Sequence, residues 1–345
     1  MRNKKAFEMQ FNWIFVLIAG AAILIFFASI MVKQKNLAQS STNIDMLKQM
    51  ENIISGASVS VDTAVPVGIP NYEIKIGCNK FSIGYSSSQY QNLILFAPSP
   101  IRGSKIITQT LAFNGPYRST NLLFITSTQA KYILIGSGAL LNEINKTLPA
   151  ELDKESFETY DPSKIKNTNN YKVKLIFFNI NIPPGAPDSL KKMTDSDVTA
   201  IKINGDKEKG TIDFYKKNSK SFVLTENSAY LGGSSIIAAI YAENPELYRC
   251  NMNNVFSKNS IVAKVYKGKI QEIIAFFTKP EFERPECIQV YADSLTNLNK
   301  IETASSKLGK AAKIEASDIN DLSIASESLA AQNKDAQKFS CPTIY

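Results

Sequence analysis

The sequence predicts an α+β protein: an N-terminal transmembrane helix, then a mixed sheet domain with a helical C-terminal part. Three observations carry that prediction. Twenty consecutive residues, Trp13 to Val32, hold no charge. Between residues 72 and 224, short apolar runs alternate with turn residues, the spacing of a sheet built largely of consecutive strands. From Gly233 onward the apolar residues recur at helical spacing. Composition agrees, since 345 residues that are 44% hydrophobic and 10% aromatic are ample for a buried core and exclude wholesale disorder.

At 1.5 Å of rise per residue, the charge-free run spans about 30 Å, the thickness of a hydrocarbon core. Trp13 opens it, where aromatic rings favour the interface; Gly20 and Phe26 lie in its body and Val32 closes it. A secretory signal has an apolar region of about 7–15 residues and an A-x-A-like triplet. This run is longer and no such triplet follows, so it reads as a single-pass anchor. Arg2, Lys4, Lys5, Lys33 and Lys35 against Glu8 supply +4 of the chain's +8. A nucleic-acid binder concentrates its basic residues on a folded face, and here they flank the apolar run instead. The positive-inside bias makes residues 1–12 a cytoplasmic arm and leaves the bulk of the chain outside. The partner implied is the lipid bilayer, with self-association or a protein partner open to the head.

Lys4-Lys5-Ala6-Phe7, directly before the apolar run, resembles the basic leader and cleavage junction of type IV pilin-like (class III signal) proteins. That resemblance implies a peptidase cut between Ala6 and Phe7, and a helix that packs into a filament core. It covers the N-terminal segment alone. The sequence departs from the family at the fifth mature position, where Glu is frequent and Phe11 stands, with Glu8 the nearest carboxylate.

After Lys35, Met46, Leu47, Met50, Ile53 and Ile54 form one helical stripe between Asn43 and Ser55. Thr42 with Asp45 reads as a capping box, which predicts a juxtamembrane amphipathic helix over 33–55 that restarts after the span. The head then divides into a sheet-containing part, 56–232, and a helical part, 233–345. Residues 56–71, rich in Pro and Gly, read as an extended lead into it. Strands are expected at 72–76, 80–83, 92–96, 105–113, 121–126 and 131–135. A helix at 139–148 and a strand at 172–178 complete a strand–helix–strand unit. Residues 197–203 and 210–215 read as a hairpin, and 221–224 as one more strand. Helices follow at 234–242, 245–274, 287–308 and 316–339.

Cys78, Cys250, Cys287 and Cys341 are the four cysteines, with no C-x-x-C pair. Without histidine, a zinc site would need all four thiolates, and their spacing lacks the close ligand pairs such sites use. An oxidising exterior favours two disulfides in one of three connectivities. If the last three helices run up, down and up, Cys287 and Cys341 share one end, which leaves Cys250 for Cys78.

No residue set rises to a catalytic, cofactor or metal constellation. The missing histidine removes Ser-His and Cys-His pairs and the usual base near pH 7. Gly136-Ser137-Gly138 precedes a helix but lacks the third glycine of a dinucleotide loop, since position 141 is Leu141; Ser137 reads as an N-cap. Ser189 and Lys192 have the S-x-x-K spacing without the accompanying S-D-N and K-T-G elements. Asp188, Asp195 and Asp197 lack an EF-hand pattern and read as a solvated loop. Gly232-Gly233-Ser234-Ser235 reads as a turn plus cap, and Asn145 opens a glycosylation sequon inside a helix. The expectation is a membrane-anchored extracytoplasmic protein with a structural or binding role. A pilin-like filament subunit and a cell-surface hydrolase are the alternatives.

Overall fold

The computed structural model describes residues 4–59, 63–90, 93–167 and 169–345, with the side chains of 4–15, 36–40 and 59 left out. Arg2, Asn92 and the Trp13 side chain therefore lie outside the described residues.

The first element is one helix, α1 (Lys4–Val59), 56 residues and about 84 Å long. The predicted restart at Thr42 does not occur. No Pro or Gly stands between Lys33 and Ser55, so nothing interrupts the helical hydrogen bonds, and Thr42 and Asp45 sit inside the helix. Within α1, Val16–Lys35 has a mean hydropathy of 2.4 and none of it is buried. It is long and apolar enough to cross a membrane, a property that an anchor and a signal sequence share. The second half behaves differently. Asn43, Leu47, Met50 and Ile54 are buried, with Met46 and Ile53 packed beside them. That is the predicted stripe.

The stripe lies on a four-stranded sheet ordered β1 (Ala64–Gly68), β6 (Lys105–Asn114), β7 (Arg118–Ser127) and β5 (Leu95–Phe96). A smaller sheet of β2 (Ile74–Gly77), β3 (Lys80–Ile83) and β4 (Ser86–Gln89) extends that surface. Side chains alternate across β7: Leu123 and Ile125 face α1, while Leu122 and Phe124 join the main core. Thr110 Oγ1 donates to the Ala57 carbonyl at 2.8 Å, and Asn121 Nδ2 to the Ser58 carbonyl at 3.1 Å. These bonds satisfy carbonyls that the end of α1 leaves open.

A six-stranded sheet follows, ordered β13-β12-β11-β10-β8-β9. Its members are β8 (Ala130–Ile135), β9 (Asp153–Phe157), β10 (Lys172–Phe178), β11 (Val198–Gly205), β12 (Lys209–Asn218) and β13 (Ser221–Leu231). The first four run parallel, and β12 and β13 add an antiparallel pair. The strand–helix–strand unit closes on β9 and not on β10. After α2 (Ala139–Thr147) the chain returns at the sheet edge through Asp-Lys-Glu-Ser-Phe, too polar and one-sided to read as a strand. β10 pairs with the other side of β8 and is buried along its whole length, as a parallel strand covered on both faces must be.

The C-terminal part is helical: α3 (Gly233–Tyr241), α4 (Pro245–Phe277), α5 (Pro285–Leu308) and α6 (Ala316–Lys338). Asn244 caps α4 by accepting from the Leu247 N–H, with Pro245 in the first turn. Buried Asn251 donates to the Leu95 carbonyl at 2.8 Å and buried Asn259 to Ser305 at 2.9 Å, tying α4 to sheet and to α5. Tyr241 and Tyr248 pack among Phe96, Phe124 and Phe214 at 5.3–6.3 Å between ring centres.

Cys78 pairs with Cys250 (Cα–Cα 6.2 Å) and Cys287 with Cys341 (5.8 Å). Cys287 begins α5 and Cys341 follows α6, the arrangement that up-down-up helices require. The first bridge spans 172 residues and joins the small sheet on α1 to α4. Peptide mapping of the unreduced protein is expected to recover these two pairs. Chain entropy assigns about 5 kcal/mol to the longer closed loop and about 4 kcal/mol to the shorter. Cys250→Ser is therefore expected to lower the denaturant midpoint more than Cys341→Ser.

Candidate functional site

β10 opens Lys-Val-Lys, and strand alternation sends Lys172 and Lys174 to the same face of the six-stranded sheet. Both are buried, at 5% and 6% exposure, where an ammonium survives only if its hydrogens are taken. Lys172 Nζ donates to the Ser99 carbonyl at 2.9 Å and pairs with the Glu243 carboxylate. That carboxylate also accepts the Ser99 N–H at 2.7 Å. Lys174 Nζ donates to the carbonyls of Ala239 (2.8 Å) and Ala242 (2.6 Å) at the end of α3. A cation there meets the negative end of the helix dipole.

Register completes the row. Lys174 lies beside Tyr132 on β8 and Thr199 on β11, and Thr199 beside Lys216 on β12. The Tyr132 hydroxyl shares a hydrogen bond of 2.7 Å with Thr126, and burial pushes its phenol up. Burial pushes the Lys174 ammonium down to about 7; Lys172 acts in the same direction and Glu243 opposes them. Beside Lys174 lies a cavity of about 180 Å³, lined also by Thr199, Phe214, Lys216, Glu243 and Glu246.

An amine held near neutrality is a group that can exchange a proton at pH 7. Its surroundings here are two helix carbonyls and an ion pair already closed on Ser99, so the arrangement locks the α3–α4 corner to the sheet. Sequence reasoning missed these residues. The signal was available: two lysines two apart at the head of a strand that is otherwise wholly apolar.

The residues singled out from sequence do not converge. Gly136 has φ 135°, and a Cβ there would lie 2.8 Å from the Phe178 carbonyl, so glycine is needed for close packing. Ser137 is not the cap; Gly138 occupies that position without a side-chain bond. Ser189 donates to the Ile165 carbonyl at 2.6 Å within a three-residue turn, and Lys191 pairs with Asp188. Asp195 accepts from Lys217 Nζ at 2.6 Å and from the Ser219 N–H at 3.0 Å. The Lys217 bond, first of these, holds the Asp195 carboxyl below its ordinary range. Asp197 accepts from Thr194. Among the described residues no group of His, Cys, Asp and Glu could hold a metal ion. Gly232 occupies the cap position of α3, and Ser235 bonds back to the Leu231 carbonyl at 2.6 Å. Asn145 sits within α2, where its own carbonyl accepts from Lys154 at 2.6 Å.

No protein-family model, curated protein or solved structure matches this chain. Its own geometry must carry the functional reading.

Between pH 7 and 9 the unfolded chain keeps the Lys174 proton and the folded chain has released it, so stability rises with pH there. Below that window both states carry the proton and the contribution is flat. The slope is about 1 kcal/mol per pH unit. Lys174→Met is expected to remove most of that slope in urea titrations run at pH 7, 8 and 9.

Proposed function

We propose that the protein is a single-pass, membrane-anchored protein whose head stands outside the cytoplasm and has a structural or binding role. One observation carries this reading. The apolar stretch of α1 touches nothing in the head, while the second half of the same helix is buried in it. A soluble protein would leave that stretch in water, where large apolar side chains such as Leu17, Leu24 and Phe26 are 62–71% exposed. The two cysteine pairs suit an oxidising exterior. The basic residues before the stretch suit a cytoplasmic N-terminus. Lys172, Lys174, Lys217 and Asp195 in the head each close on a backbone group, as packing contacts do.

A pilin-like filament subunit is the second reading, favoured by the continuity of α1. The helix runs from the Ala6–Phe7 junction into the head with no joint. Its apolar half would exchange lipid for neighbouring copies without any rearrangement of the head.

Two measurements test these readings. After an alkaline carbonate wash, the protein is expected to stay with the membrane pellet. Ala22→Arg with Phe26→Arg, at about 3 kcal/mol each at the centre of a span, is expected to move it to the supernatant. Recovery of the unaltered chain in the wash would reject the anchor. N-terminal sequencing then distinguishes the two roles: a chain beginning at Phe7 supports the filament subunit, and an uncut leader supports the plain anchor.

A further inference from the structure

α5 and α6 run antiparallel. The Cys287–Cys341 bridge joins the start of α5 to the residues after α6, and at the other end Lys307 Nζ donates to the Asp318 carboxylate at 2.6 Å. Between the two helices lies an open groove of about 600 Å³, lined by residues of α5 and α6 alone. Ala304 of α5 and Ala325 of α6 belong to its lining and to the edge of the main core, and their short side chains leave the space between the helices unfilled. Ile324, beside Ala325, lines the same groove and is 53% exposed.

The charges of the groove are sorted by helix. Those on α5 are cations, Lys300 and Lys307; those on α6 are anions, Asp318 and Asp321. Lys307 and Asp318 close on each other. Lys300 and Asp321 are exposed, and neither forms an ion pair among the described residues.

A surface of this kind is complementary to itself. A two-fold axis running along the groove, between two copies, sets α5 of each copy over α6 of the other, the arrangement of a four-helix contact. The cationic side then meets the anionic side twice, Lys300 of each copy facing Asp321 of the other. The exposed Ile324 of each copy meets the space that the alanines leave in the other. A groove with one sign of charge on both sides would repel its own copy. We infer that the α5–α6 groove is the face through which the head pairs with a second copy of this chain. This goes beyond the membrane-anchored reading and does not depend on it, since α1 contributes nothing to the groove.

The full-length chain is sedimented in detergent with micelles in large excess over protein, so that two apolar stretches do not share a micelle by chance. The native chain is expected to sediment as a dimer. Lys300→Asp and Asp321→Lys each set like charges together at both symmetric contacts, and each is expected to raise the dimer dissociation constant about a hundredfold. The double variant Lys300→Asp, Asp321→Lys restores opposite charges and is expected to restore the dimer. Ile324→Asp is expected to give monomers. Recovery of both disulfides checks the fold of each variant. A native chain that stays monomeric up to about 100 μM overturns the inference. A dimer that every variant keeps places the association on another surface and overturns it as well. Single variants whose loss the double variant does not repair overturn the two-fold pairing. None of these results bears on whether α1 spans a membrane, which the carbonate wash decides.

Discussion

Along β7, Leu123 and Ile125 turn toward α1 while Leu122 and Phe124 turn toward α3 and α4, so one strand is buried from both sides. That double burial joins two cores that would otherwise be separate. Each large apolar side chain buried there contributes about 1.5–3 kcal/mol. Both contributions depend on the same hydrogen-bonded ladder between β6 and β7. The long helix is therefore continuous with the architecture of the head. Any displacement of α1 must either break the packing of Leu47, Met50 and Ile54 or carry the four-stranded sheet along with it.

The other restraints act across this sandwich. The Cys78–Cys250 bridge ties the small sheet on the α1 side to α4 on the far side, and Asn251 ties α4 to β5. Lys172, Lys174 and Glu243 hold the corner between α3 and α4, joining the six-stranded sheet to Ser99 in the loop after β5. Buried ion pairs are poor sources of net stability but costly to break, since each partner left alone is an uncompensated charge. Together these contacts tie the far helices to the sheet on which α1 packs.

Much of the fold was legible because its signals are local. Strand β10, the helices from Gly233 onward and the apolar stripe on α1 all follow from residue spacing, and they appear within a few residues of their predicted bounds. β4 and β9 were not legible. Ser-Ser-Ser-Gln and Asp-Lys-Glu-Ser-Phe lack an apolar periodicity, and only the neighbouring strand makes them strands. The continuity of α1 was misread because a Thr-Asp pair has the same spacing in a cap and in a helix interior. The lysine cluster was hidden for a related reason: spacing places Lys172 and Lys174 on one face, but their acceptors come from residues 99, 239, 242 and 243.

By itself, the sequence determined the fold class, the apolar stretch at the start and the face that α1 buries, because each depends on the period of apolar residues within one segment. The cysteine partners also followed from it once helix directions were assumed. Only the tertiary structure decided that α1 is unbroken, that two cores share one sheet, that the β3–β4 turn sits on α1, and that Lys174 is forced toward neutrality. Those properties arise between segments far apart in the chain, where burial and hydrogen-bond partners are set by which elements meet and not by any one element's own residues.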